Sequence, residues 1–140
     1  MKTNMKTRIT ISIAAVIIIL SGTAFKISGF QPKPWIVPDK NAKMANASPT
    51  NAASIKEGKE VWVQHCQSCH GKSGKGDGPK AAQLKTESGN FTLPETQKQS
   101  DGSMFYKISE GRVDMPGFKK KIPEAEDIWN VINYIRTLKS

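Results

Sequence analysis

Hydrophobic positions along the chain fall into three zones with different patterns. The first is an unbroken apolar run, Ile9 to Leu20. Lys2, Lys6 and Arg8 precede it with no acid, and Ser21-Gly22-Thr23-Ala24 follows it. A basic start, an apolar stretch of this length and small residues up to Ala24 make 1–24 a secretory signal peptide by layout. An uncleaved membrane anchor is the alternative, because Ile9 to Ile27 approaches spanning length if Lys26 snorkels. In both cases the basic end stays inside and the remainder is exported. The second zone, 25–53, carries no helical or strand periodicity. Pro32, Pro34, Pro38 and Pro49 interrupt a background of Asn, Ala, Ser and Lys, and Trp35-Ile36-Val37 is its apolar cluster. That composition predicts a flexible tether, or a strap lying over the domain.

The third zone, 54–140, has the period of helices. Ser54-Ile55-Lys56-Glu57 forms a capping-box pattern, and Gly58, Val61, Trp62 and His65 continue it at helical spacing. Gly71 to Pro79 holds four glycines in nine residues and is loop, though not a phosphate loop, since no strand precedes it and G-K-[ST] is out of place. Ser100-Asp101 caps a second helix through Met104, Phe105 and Ile108, closed by Gly111. Pro123 falls in the first turn of a third, with Glu124, Glu126 and Asp127 at its positive end. Ile128, Val131, Ile132, Ile135 and Leu138 form its buried stripe. Strand signals are nearly absent, so the expected class is all-α. The zone has 87 residues, a marginal size for a self-sufficient core.

Chemistry enters through the cysteines. Both of them, and one of the two histidines, lie in Cys66-Gln67-Ser68-Cys69-His70. C-x-x-C-H is the attachment signature of a c-type haem. The thiols add across the two porphyrin vinyl groups, and His70 follows at once to supply an imidazole to the iron. A thioredoxin-like dithiol would open a helix after a strand, whereas this pair follows a helical pattern and precedes glycine-rich loop. A zinc site would draw on His65, Cys66, Cys69 and His70, but the adjacent pairs cannot both face one tetrahedral ion and there is no distant second knuckle. A disulfide closing so short a loop would stabilise little. One covalent haem c is therefore the expected cofactor, and it would also supply apolar mass that the small domain lacks.

An iron bound by His70 alone would stay open to small ligands. Met115, 45 residues further on in Val113-Asp114-Met115-Pro116-Gly117-Phe118, is the candidate second ligand. Pro116 stiffens that loop while Gly111 and Gly117 let it fold tightly. A soft thioether there favours Fe(II) and raises the reduction potential. Core filling is the ordinary alternative for a methionine. Met104 has the helical spacing of core filler, Met44 lies in the tether, and His65 is too close to Cys66 to reach the same iron.

These residues resemble the class I monohaem cytochromes c over about Ser54 to Leu138. The likeness is carried by Gly58-Lys-Glu-Val-Trp62, the C-x-x-C-H run through Gly71, Gly76-Asp-Gly-Pro79, Asp101-Gly-Ser-Met-Phe105, Met115-Pro-Gly-Phe118 and Trp129-Asn-Val-Ile-Asn-Tyr134-Ile-Arg. The resemblance implies a cytochrome c fold of three main helices around the haem. Gly58 would let the first and last helices cross closely, with Trp62 packed near Val131 and Tyr134. It implies that the Pro79 carbonyl accepts a hydrogen bond from His70 Nδ1, fixing the tautomer. Arg112 is a candidate propionate contact, or equally a solvated arginine. The 25–53 segment has no counterpart in the family pattern.

The chain carries a formal charge of +9, which falls to +6 without 1–24 because Lys2, Lys6 and Arg8 leave and no acid does. That balance suits long-range attraction to acidic redox proteins, and Lys72, Lys75, Lys80, Lys119, Lys120 and Lys121 flank the expected haem edge. Nucleic acid is a poor partner for an exported chain without a recognition motif. The function expected is one-electron transfer, in the periplasm or tethered to the outer face of the cytoplasmic membrane, with no catalytic residue and no small-molecule substrate. The alternatives are a cytochrome subunit permanently bound to a larger oxidoreductase or membrane respiratory complex, and an open-site haem enzyme or gas sensor.

Overall fold

The computed structural model of the chain describes residues 34–140; the expected signal peptide or anchor and the start of the tether lie outside them. The described residues form six α-helices: α1 (Asp39–Ala42), α2 (Ala52–His65), α3 (Gln67–His70), α4 (Pro94–Gln97), α5 (Asp101–Glu110) and α6 (Ala125–Arg136). A 3-10 turn covers Ala81–Gln83. The described residues contain no strand, only an isolated bridge between Arg112 and Met115. The all-α class and the three main helices (α2, α5 and α6) agree with the sequence.

The principal packing pairs α2 with α6. A Cβ on Gly58 would stand 1.9 Å from the Asn130 carbonyl oxygen, so only glycine permits this backbone approach. Trp62, one turn along α2, is 1% exposed and meets Tyr134 with ring centroids 5.8 Å apart. Every residue from Ile128 to Ile135 is buried, so α6 is enclosed on all sides and is the axis of the core. Met104, Ile108, Phe118 and Ile122 complete it from α5 and the loop that follows.

Two helix starts differ from expectation. α2 begins a turn earlier, at the N-cap Asn51, whose side chain accepts from the Ser54 amide at 2.9 Å while Ser54 Oγ accepts from the Asn51 amide at 3.2 Å. Ser54 and Glu57 are thereby left to serve α6: Asn133 Nδ2 donates to Ser54 Oγ at 3.1 Å and Asn130 Nδ2 to Glu57 Oε2 at 2.8 Å. α6 starts at Ala125 with Glu124 as N-cap, placing Pro123 just before the helix rather than in its first turn.

The larger correction concerns the tether. Residues 34–53 are a strap held on the domain, and its boundary at Ser54 disappears into α2. Asn46 Nδ2 donates to Asn133 Oδ1 at 2.9 Å and to Asp101 Oδ2 at 3.1 Å, Ser48 Oγ to Asn130 Oδ1 at 2.5 Å, and Thr50 Oγ1 to Asn133 Oδ1 at 3.1 Å. Ser100, the N-cap of α5, donates Oγ to the Ala42 carbonyl at 2.6 Å. A Cβ on Gly102 would lie 2.1 Å from the Asn41 carbonyl oxygen, so α1 rests directly on α5. The strap's polar side chains thus satisfy partners on α6 and α5 instead of water.

Two glycine substitutions separate these contacts. Gly58→Ala forces apart two backbones that cannot yield and should cost the holoprotein about 3 kcal/mol or more, seen as a lower denaturation midpoint. Gly102→Ala should instead release the strap, so limited proteolysis would cut within 34–50 while the visible spectrum stays unchanged. Wild-type resistance to proteolysis in Gly102→Ala would show that the strap is not held there.

Candidate functional site

α2 ends at His65, and its C-cap Cys66 opens the one-turn helix α3. The amides of Cys69 and His70 both donate to the Cys66 carbonyl, at 3.1 and 3.0 Å. The two cysteines therefore sit one turn apart on one face, with His70 next in line. Both thiols are free, and among the described residues no three His, Cys, Asp or Glu side chains converge as a metal site, which leaves the zinc reading without geometry. Burial, with the neighbouring Cys69 second, pushes the Cys66 thiol up to about 12.

His70 stands in an aromatic box. Its ring lies 5.0 Å from Phe91 and 5.7 Å from Trp62 by centroid. The Trp62 indole Nε1 donates to the Gly71 carbonyl at 3.2 Å, pinning the residue just after the histidine. Burial lowers the His70 pKa and the Ser88 backbone acts weakly the other way. A neutral imidazole is the form that ligates a metal. Nδ1 is buried with no hydrogen-bond partner, so the bond to the Pro79 carbonyl implied by the family resemblance is not formed here. Gly76, Gly78 and Lys80 donate their amides to the carbonyls of His70, Cys69 and Ser68, at 2.9, 3.2 and 2.9 Å, and Pro79 between them is exposed. A Cβ on Gly78 would stand 2.5 Å from the Ser68 carbonyl oxygen, so this loop can close over α3 only with glycine there.

The Met115 loop is folded as tightly. α5 ends on Gly111, φ 70°, and a Cβ there would meet the Gly117 amide nitrogen at 2.3 Å and the Met115 carbonyl oxygen at 2.5 Å. Arg112 and Met115 exchange backbone hydrogen bonds of 2.8 and 2.9 Å across a two-residue turn. Met115 is half-buried against the core, whereas Met104 is 3% exposed within it, the filler its spacing predicts. Met44 is exposed on the strap, and His65 sets its ring edge-on to Phe118 at 5.9 Å. Arg112 lies 4.8 Å from the Trp35 ring centroid and Lys107 lies 5.6 Å from it, so the strap reaches the start of the Met115 turn.

Sequence reasoning missed Phe91, Ser88 and Asp114. Nothing in a loop phenylalanine, serine or aspartate distinguishes it from ordinary packing or a solvated charge. The residues present fit a covalent haem c: two unpaired thiols one turn apart, an imidazole directly after them whose pKa burial lowers, and loops closed by glycine over both.

Residues 53–135 match the family described as cytochrome C oxidase, cbb3-type, subunit III. No curated protein matches the chain. Among solved structures, the Kuenenia stuttgartiensis reducing HAO-like protein complex Kustc0457/Kustc0458 is similar with a TM-score of 0.61 and 21% identity, over 79% of this chain and 52% of that one. That likeness shows the fold, and the chain spans about half the length of that relative. The KustC0563 c-type cytochrome is similar with a TM-score of 0.53 and 29% identity, over 59% of this chain and 98% of that one.

Val113, at the first central position of the Met115 turn, has φ 51° and is 73% exposed. A β-branched residue in the left-handed region costs about 1–2 kcal/mol, and asparagine tolerates it. Little burial is lost, so Val113→Asn should raise the thermal midpoint of the holoprotein by roughly 4–8 °C per kcal/mol relieved.

Proposed function

From the premise that the chain belongs to the family of cytochrome C oxidase cbb3-type subunit III, whose domain is that of a c-type cytochrome, we propose that it relays single electrons between exported redox partners through one haem c, with His70 and Met115 as the axial ligands. The observation that carries this reading is the pairing of two glycine-closed segments, the Cys66–His70 turn and the Met115 turn, in one small domain. Haem c, attached through Cys66 and Cys69, supplies a metal centre that takes up and releases one electron at a time.

Burial lowers the pKa of His70, which favours the neutral imidazole, and the rings of Trp62 and Phe91 pack beside it. Met115 offers a soft sulfur that favours the reduced state. If His70 and Met115 both held the iron, no position on it would remain open to a substrate, and the role we assign is that of a carrier. Arg112 pairs with Met115 across the same turn and is the residue we assign to a propionate contact. Lys72, Lys75, Lys80, Lys119, Lys120 and Lys121 are all exposed, and they give an acidic partner a positive face to approach. Among the described residues no helix is long and apolar enough to cross a membrane. A periplasmic site of action, free or tethered through 1–24, follows from the leader.

A second reading is that of a subunit fixed in a larger oxidoreductase. Ile36, 84% exposed beside Trp35 on the strap, is the apolar side chain that such a partner would cover. The similar Kuenenia stuttgartiensis structure is itself a protein complex. Purification in stoichiometric association with another chain favours the subunit; a monomer favours the shuttle.

Two measurements test the proposal. The oxidised holoprotein should show the weak near-infrared iron–thioether charge-transfer band. Met115→Ala should lose it and lower the potential by tens of millivolts or more, within the roughly 0.8 V that axial ligands span. Met104→Ala should keep the band. A wild-type spectrum without it would point to the open-site enzyme or sensor. Reversing Lys119, Lys120 and Lys121 to Glu should slow transfer to an acidic redox protein about tenfold or more at low salt, and the difference should shrink at high salt.

A further inference from the structure

We propose that Asp114 is the positioning residue for Met115, latching the turn that presents the sulfur to the loop 84–89 opposite; this rests on the His70/Met115 coordination proposed above. One carboxylate oxygen, Asp114 Oδ2, accepts from the Lys85 amide at 2.9 Å, the Thr86 amide at 3.0 Å and Thr86 Oγ1 at 3.2 Å. Two successive amides and a hydroxyl converging on one anionic oxygen make a small backbone nest, and such charge-assisted bonds are stronger than neutral ones. The bonds span 28 and 29 residues of sequence, so they join two loops that local folding would not bring together.

The loop 84–89 has its other end at the histidine. A Cβ on Gly76 would stand 2.6 Å from the Gly89 carbonyl oxygen, and the Gly76 amide donates to the His70 carbonyl at 2.9 Å. Asp114 is adjacent to Met115. One short loop therefore touches the surroundings of the first ligand and is tied to the chain neighbour of the second.

The turn needs a tie. Val113 is held in the left-handed region, and its base is fixed by the contacts of Gly111 with Met115 and Gly117. Its tip has the Asp114 bonds to hold it. Removing them lets Val113 relax and lets the sulfur swing away. The cost of that falls on the oxidised state, where a soft thioether binds iron most weakly.

The test is displacement of Met115 from the oxidised holoprotein by imidazole, followed by stopped flow at saturating imidazole, where opening of the turn limits the rate. Asp114→Ala should open about tenfold faster or more, as expected for loss of charge-assisted bonds. Asp114→Asn keeps a neutral acceptor and should fall between it and wild type. Thr86→Val removes only the hydroxyl bond and should give a smaller acceleration; these two variants carry the test if Asp114→Ala fails to fold. Arg136→Met is the control. Its bonds go to Asp101, Gln97 and Gln99, so it should lower the unfolding midpoint without speeding displacement. Wild-type rates in Asp114→Ala and Asp114→Asn, or equal acceleration in Arg136→Met, would overturn the latch while leaving Met115 as ligand. Absence of the thioether band from the wild-type protein would overturn the coordination itself, and the latch with it.

Discussion

The crossing of α2 on α6 at Gly58 is the contact on which everything else in the structure depends. With no side chain at Gly58, the Asn130 carbonyl comes against the helix backbone, and the two helices lock at a single point. The last residue of α2 is followed directly by the Cys66–His70 turn, so whatever fixes α2 fixes the cysteines and the histidine. Trp62 carries the same constraint one step further. It lies one turn beyond Gly58, packs on Tyr134 of α6 and bonds the Gly71 carbonyl on the far side of the turn. The site is held at both ends by one helix pair.

The same crossing brings polar groups into the core, and they are used rather than tolerated. Asn130 and Asn133 are 1% and 2% exposed, yet each has partners on two elements: Glu57 or Ser54 on α2, and Ser48, Asn46 or Thr50 on the strap. Leaving such an amide unpaired would cost about 1–3 kcal/mol, so the strap is required by α6 as much as α6 is by the strap. A network of this kind selects one placement of the strap, since a slip of one residue would strand the amides.

What was legible in the sequence follows from the range of the forces involved. Helices announce themselves by the period of residues that share a face, so α2, α5 and α6 and their apolar stripes were visible, as was the C-x-x-C-H turn whose chemistry is local. The glycines of both loops were visible too, because few other residues suit such turns. The strap was not. Asn, Ser and Pro have the same composition in a free linker as in a segment bonded to distant amides, and only Asn130 and Asn133 decide between them. The start of α2 was misplaced for the same reason: Ser54 and Glu57 form a valid capping pair until Asn133 and Asn130 claim them. Nor could the sequence show that His70 Nδ1 goes unpartnered, where the family's pattern would bring the Pro79 carbonyl to it.

The two halves of the site are built to different standards of rigidity. On the histidine side, a helix end, a tryptophan hydrogen bond, an aromatic box and three loop amides converge within a few residues of His70. On the methionine side there is a two-residue turn with a strained valine, braced by glycine packing at its base and by one carboxylate at its tip. If His70 and Met115 hold the iron as proposed, a centre that changes charge without moving needs both in place before the electron arrives, because any rearrangement adds to the barrier. The histidine meets that need through the core. Met115, under that proposal, meets it through the long-range polar contact of Asp114, so the stiffness of such a site would be set at its less buried side, where a change of a single bond alters it without disturbing the fold.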